Sequence, residues 1–201
     1  MVLGSKNTIL YGKGCITDRL CNLDFGISPS SFYQVNKRQT EVLYKKAIDA
    51  AKLDKKDILI DAYCGTGTIG LVASKYVKKV YGVESNKAAI KDAISNMKIN
   101  KIDNVEFVCE DAGKYMEYLS KNNTHIDTVI MDPPRAGSDM KFMNSMIKLK
   151  SNKIVYISCN PLTLKDNLKY LIKFYKVKSI QPVDLFPYTD HTEVIVKMRK
   201  K

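Results

Sequence analysis

Cys159 stands where a nucleophile would. In KIVYISCNPLTLKDNLKYL it closes a Val/Ile-rich run and precedes Asn160, Pro161 and a helix-like stretch. A thiolate beside a helix N-terminus meets donor N–H groups and the positive end of the dipole, which should lower its pKa and leave it reactive. A buried structural cysteine is the plain alternative, and that reading suits Cys64 and Cys109. Cys159 instead lies among polar residues and a loop-forming proline, so it is expected beside a cleft. A second chemical feature is MDPPR (131–135), a polar Asp-Pro-Pro loop closing another apolar run. Alone, such a loop would suit the binding of an exocyclic amine.

A third feature is DAYCGTGTIG (61–70), which follows one apolar run and opens a helix. Its Gly65, Gly67 and Gly70 form GxGxxG, where glycines allow a tight turn and close approach to a ligand. By itself this is a weak signal. Glu84 then ends the next apolar run, in VYGVES, where a carboxylate can grip a ribose diol. Nicotinamide dinucleotides and S-adenosylmethionine are both held in this way, and three features favour the second. Asp61 precedes the glycines, where it can receive a cationic amino-acid end. Asp111 in VCEDAG ends a third run, where it or Glu110 can accept from an adenine amino group. The proline loop opening with Asp132 has no use in a nicotinamide enzyme. Any one of these acids could be a helix N-cap, but four in register are poorly explained by capping alone.

The elements that must position these residues alternate. Strand candidates are 57–62, 80–83, 105–108, 128–131 and 153–158, each short and rich in Val and Ile, as buried parallel strands are. Helical stretches are expected near 37–52, 67–77, 86–98, 112–120, 138–149 and 162–174. Such a rhythm predicts an α/β fold: a doubly wound, mostly parallel sheet of the Rossmann-like, class I methyltransferase type, with ligands at the carboxyl ends of its strands. Residues 180–185 and 193–198, joined by FPYTDHT, break the rhythm and predict an antiparallel pair at the sheet edge. Residues 1–35 read as a small separate β-hairpin element, and 36–201 as the main domain.

Bulk properties set bounds on this. The 201 residues suit one domain with a substantial core, and no run is apolar enough to cross a membrane. The start lacks a signal-peptide run, so a cytoplasmic, monomeric protein is expected. Five cysteines without metal-ligand spacing read as free thiols, and no metal is expected. A net charge of +12, from 33 basic and 21 acidic residues, suits a polyanionic partner. Only four of the basic residues are arginine, so a general lysine bias contributes to that surplus.

Five motifs together resemble the RNA uracil-5-methyltransferases, which make 5-methyluridine in transfer and ribosomal RNA. They are SFYQVN (31–36), DAYCGTGTIG (61–70), MDPPRAG (131–137), ISCNP (157–161) and FPYTDHTE (186–193). The likeness implies that Cys159 is the nucleophile and Glu193 the general base. It places Gln34, Tyr63, Thr68, Glu84 and Asp132 at the cofactor or where cofactor and substrate meet, beside Asp61, Gly65, Gly67 and Asp111. Phe32, Pro133, Arg135 and Asn160, inside the same motifs, are expected against the substrate base. The cofactor implied is S-adenosylmethionine, and the partner is RNA, 23S rRNA before tRNA from the forms of the glycine and proline motifs. Two departures are mild: Thr192 stands where an apolar residue is usual, and Thr68 where Asn also occurs. Relatives carry an N-terminal RNA-binding barrel, a fuller central domain and often an iron–sulfur cluster, whose spacing Cys15 and Cys21 do not match. A fragment or a reduced relative is therefore expected. The competing readings are a methyltransferase acting on nitrogen or a small molecule, and a non-catalytic RNA-binding module.

Overall fold

The computed structural model describes residues 8–201, so the first seven residues of the expected N-terminal element lie outside the described residues. A hairpin of β1 (Ile16–Leu20) and β2 (Leu23–Ile27) precedes α1 (Lys37–Ala51). Strand and helix then alternate through β3 (Ile58–Ala62), α2 (Thr68–Ser74), β4 (Lys79–Glu84), α3 (Lys87–Ile99) and β5 (Val105–Cys109). They continue as α4 (Ala112–Lys121), β6 (Thr128–Met131), α5 (Met140–Leu149), β7 (Lys153–Ser158) and α6 (Pro161–Leu171). The chain closes with β8 (Tyr175–Val183) and β9 (Glu193–Lys200).

Seven strands form one sheet in the order β5-β4-β3-β6-β7-β9-β8. The first five pair in parallel, β9 runs antiparallel to β7, and β8 runs antiparallel to β9. This is the doubly wound sheet with an antiparallel edge that the residue pattern predicts. Winding proceeds outward from β3 in one direction and from β6 in the other. The crevice between their carboxyl ends is thus the topological switch point, where such sheets bind ligands.

Period-two alternation sends Leu59, Ile130 and Val155 to the face covered by α1, α2 and the hairpin. Their neighbours Ile60, Val129, Ile154 and Tyr156 pack against α4, α5 and α6. Both faces are dry, which is why these strands read as unbroken apolar runs. The edge differs from expectation in its limits. α6 ends at Leu171 and β8 begins at Tyr175, earlier than the expected 180. Lys176 and Lys178 face solvent there, and a register irregularity between Val177 and Ser179 erases the alternation.

The hairpin is tied to the main body. Leu20, Phe25 and Ile27 join the core beneath α1. Two asparagines, Asn96 of α3 and Asn100 at its C-cap, complete the open edge of β2: Asn96 Oδ1 accepts from Gly26 N at 2.7 Å, and Asn100 Oδ1 from Asp24 N at 2.9 Å. Segment 28–36 then crosses the end of the sheet, anchored at both ends. Asp92 Oδ2 accepts from Ser28 N at 2.9 Å and Ser31 Oγ at 2.7 Å, while Asn36 caps α1 and donates through Nδ2 to Leu185 O at 2.7 Å. This anchoring lays Phe32 and Gln34 over the crevice. Among the described residues no helix is long and apolar enough to cross a membrane.

Candidate active site

A cleft of about 820 Å³ opens at the switch point, large enough for a cofactor and a base together. One half carries Gly65, Glu84 and Asp111 from the ends of β3, β4 and β5 in turn, with Tyr63 and Gln34. The other half carries Cys159 and Glu193, with Pro133 and Arg135 of the proline loop; Asp132 lies between. Phe32 is 75% exposed at the rim.

Local bonds hold the cofactor half in shape. Tyr63 leaves β3 with φ at 64°, a left-handed conformation that bulky residues rarely adopt. Gly67, at φ 81°, caps α2 and lies so close to the Phe107 ring that a Cβ would meet it at 2.6 Å. Glu84 is pinned from below: Oε2 accepts from Gly65 N at 3.3 Å, and Oε1 from Asn86 N at 2.7 Å. Asp111 lines the cleft and also caps α4, its Oδ1 accepting from Lys114 N at 2.9 Å. The capping alternative and the binding role are thus compatible in one residue.

Four expected residues lie elsewhere. Asp61 is fully buried beneath the glycine loop, with Oδ2 accepting from Gly70 N at 2.7 Å, and it does not line the cleft. It shapes the loop and acts on the cleft only through its charge. Gly67 is packed away behind the loop, and Thr68 faces a small side cavity, where its hydroxyl shares a 2.8 Å hydrogen bond with Tyr44. Asn160, expected at the substrate, instead caps α6 and donates through Nδ2 to Arg135 O at 3.0 Å. A residue at the first turn of a helix is drawn to its free N–H groups, and that geometry turns Asn160 from the cleft.

Cys159 and Glu193 come together where an antiparallel strand is set beside a parallel one. β7 ends at Ser158, opposite Val194 of β9, so Cys159 and Glu193 sit on adjoining strand ends. Glu193 is buried, and its Oε2 has no hydrogen-bond partner among the described residues. Burial raises its pKa above the ordinary glutamate value. The expectation for Cys159 is corrected: burial, then the charges of Glu193 and Asp132, push the thiol up, and Arg135 opposes them only weakly. Burial is the larger cause, and the two carboxylates add to it. Cys109 is exposed rather than buried, whereas Cys64 is buried as expected.

The charge lining the cleft is informative. Glu84, Asp111, Asp132, Asp139 and Glu193 face it, against Arg135 as the one Lys or Arg among the described lining residues. On a chain of net charge +12 this acidic lining is a local exception, and it suits a cation. A sulfonium with an α-ammonium group fits it; a pyrophosphate would be repelled. Buried acids without counter-charges should also make stability depend on pH. Burial lifts Asp61 to about 7, far above its unfolded value of about 3.9. Its contribution is complete below the unfolded value and is lost as pH rises through about 7. Wild type should therefore melt several degrees lower at about pH 8.5 than at about pH 5.5, and Asp61→Asn should lose less. Thermal melts of both proteins check this, and parallel losses would contradict it.

Several cleft residues escape a reading by motif role. Asp139 caps α5, Phe186 and His191 come from the loop before β9, and His191 Nδ1 accepts from Arg135 Nη2 at 3.3 Å. His191 stands inside FPYTDHTE, so a signal was present.

Comparison with known proteins agrees with this geometry. Residues 15–201 match the tRNA (uracil-5-)-methyltransferase family. The chain belongs to that family. An uncharacterised RNA methyltransferase of Oceanobacillus iheyensis is 45% identical over 202 residues, covering 100% of this chain and 44% of its own. The chain therefore spans less than half the length of such family relatives. The tRNA (uracil-54, C5)-methyltransferase of Pyrococcus abyssi, solved with S-adenosyl-L-homocysteine, superposes with a TM-score of 0.80 at 34% identity. It matches 94% of this chain and 45% of that one. A SAM-dependent methyltransferase from Agrobacterium tumefaciens, at TM-score 0.73 and 16% identity over 98% of this chain and 72% of that one, shares the fold. The architecture is that of the class I methyltransferases.

Proposed function

We propose that this protein transfers a methyl group from S-adenosylmethionine to C5 of a uracil in RNA, with Cys159 as nucleophile and Glu193 as base. The observation that carries the reading is one continuous cleft joining the Glu84–Asp111 end to the Cys159–Glu193 pair. Glu84 suits the ribose diol, and Asp111 the adenine amino group. Gln34, Tyr63 and the amide side of Gly65 flank the amino-acid end. When bound, the cofactor supplies an electrophilic methyl group.

C5 of uracil is too weakly nucleophilic to react unaided. Addition of the Cys159 sulfur to C6 makes an enolate whose C5 can accept the methyl. The proposed acceptor of the thiol proton is Asp132, which lines the same cleft and whose proton affinity is raised by burial and by Glu193. Glu193 then removes the C5 proton, the C6–S bond breaks, and the C5=C6 double bond returns. Phe32 and Pro133 offer apolar surface to the base. The lysine surplus suits the phosphates around it. The forms of the glycine and proline motifs favour 23S rRNA as the target, while the 34%-identical neighbour acts on tRNA uracil 54.

Incubation with S-adenosylmethionine and unmodified 23S rRNA or tRNA transcripts, followed by nucleoside mass spectrometry, tests this. The expected product is 5-methyluridine. S-adenosylhomocysteine should raise the melting temperature, since a ligand that binds only the native state stabilises it. Glu84→Ala should shrink that shift, and NAD should give none. A methyl group on nitrogen, or a shift with NAD, would overturn the proposal.

A further inference from the structure

One side-chain relay ties the two halves of the cleft together, and its hub is Asn167 on α6. Asn167 Oδ1 accepts from Ser138 N at 2.9 Å and from Tyr156 Oη at 2.7 Å. Its Nδ2 donates to Ser138 O at 3.1 Å. Ser138 Oγ in turn shares a 2.9 Å hydrogen bond with the hydroxyl of Tyr63, which lines the cofactor half. Tyr156 lies on β7, three residues before Cys159, and is fully buried. The contact is tight: at Gly137, φ 82°, a Cβ would come within 2.8 Å of Asn167 Oδ1. Thr163 Oγ1, one turn earlier on the same helix, and Asn160 Nδ2, at its N-cap, both donate to Arg135 O at 3.0 Å.

We propose that Asn167 is a positioning residue for the reaction above: it locks the end of the proline loop to α6, the helix that begins just after Cys159. The inference rests on the proposed function. Neither Asn167 nor Tyr156 lines the cleft, so any effect must pass through the loop. The Ser138 amide and carbonyl are both held by Asn167, which fixes where Pro133 and Arg135 stand over the base. Misplacing such a group by about 1 Å can cost roughly 100-fold in rate. The Tyr156 bond is a different matter. It satisfies a buried hydroxyl without touching the loop, so its loss should leave catalysis nearly intact.

Three variants separate the roles: Asn167→Ala, Asn167→Asp and Tyr156→Phe, with kcat and KM measured on the transcripts above. Asn167→Ala should lower kcat about 10- to 100-fold, with KM for RNA and affinity for S-adenosylmethionine changed less than about threefold. Asn167→Asp keeps the acceptor for Ser138 N but loses the donor, so its kcat should fall in between. Tyr156→Phe should stay within about threefold of wild type. Equal losses in Asn167→Ala and Tyr156→Phe, or a change confined to KM, would overturn the proposal. Amide exchange supplies a readout independent of turnover. Exchange at 135–138 should rise in Asn167→Ala and remain slow in Tyr156→Phe, with the sheet unchanged in both. If wild type methylates no uridine, the functional reading fails, and exchange alone decides the role of Asn167. Unchanged exchange in Asn167→Ala would sink it.

Discussion

Cys159→Ala is expected to abolish methylation, by on the order of 10⁴-fold or more, and to form no covalent complex with RNA. The size of the effect follows from the chemistry. Without sulfur at C6 the ring never becomes an enolate, and no residual route activates C5. Folding should be spared. Cys159 is only half-buried at a strand end, so removing its sulfur opens no enclosed cavity. S-adenosylhomocysteine should still raise the melting temperature, because Glu84 and Asp111 lie at the other end of the cleft. A Cys159→Ala protein that keeps its activity would point to methylation of nitrogen. Loss of cofactor binding together with activity would mean that the substitution acts on the fold.

Glu193→Gln should fail in a different way. The variant should still add to C6 and accept the methyl, yet release product about 10²–10⁴-fold more slowly, because no carboxylate removes the C5 proton. A denaturation-resistant protein–RNA complex should therefore accumulate in Glu193→Gln, and not in Cys159→Ala. The wild-type pH profile should carry the same signature. Burial raises the pKa of Glu193, and the base must be ionised, so product release should slow as pH falls through that raised value. Glu193→Gln should lack this limb. Gel mobility under denaturing conditions and single-turnover rates across pH check both points. Fast release from Glu193→Gln would move the base to another residue, with Asp132, a carboxylate of the same cleft, as the first candidate.

Much of the fold is legible because the central strands are buried on both faces. β6 and β7 begin and end where their apolar runs do. The first half of β8 is hidden because it is a solvent-exposed edge with a register irregularity, where nothing requires alternation. At the site, residues whose role follows from being at a strand end are the readable ones: Glu84, Asp111, Asp132, Cys159 and Glu193 all reach the cleft. Asp61 does not line the cleft, for a physical reason. It lies inside β3 rather than at its end, and the glycine loop folds back over it to give Gly70 N as its partner. The proton affinity of Cys159 is illegible locally, since it depends on burial in the folded cleft and then on Glu193 and Asp132, carboxylates from the ends of β9 and β6. Asn167 is invisible for the same reason. Its partner Ser138 is 29 residues away, and only the packed fold brings them together.

The most direct test of the covalent mechanism is to map the adduct formed with RNA bearing 5-fluorouridine at the target. Fluorine cannot leave as a cation, so Glu193 has no proton to remove and the intermediate cannot resolve. Wild type incubated with this RNA and S-adenosylmethionine, then digested and analysed by mass spectrometry, should yield one modified peptide. That peptide should contain Cys159 and carry a methylated fluorouridine nucleotide. An adduct on Cys64 or Cys109, or no adduct from protein that makes 5-methyluridine on ordinary RNA, would contradict the mechanism.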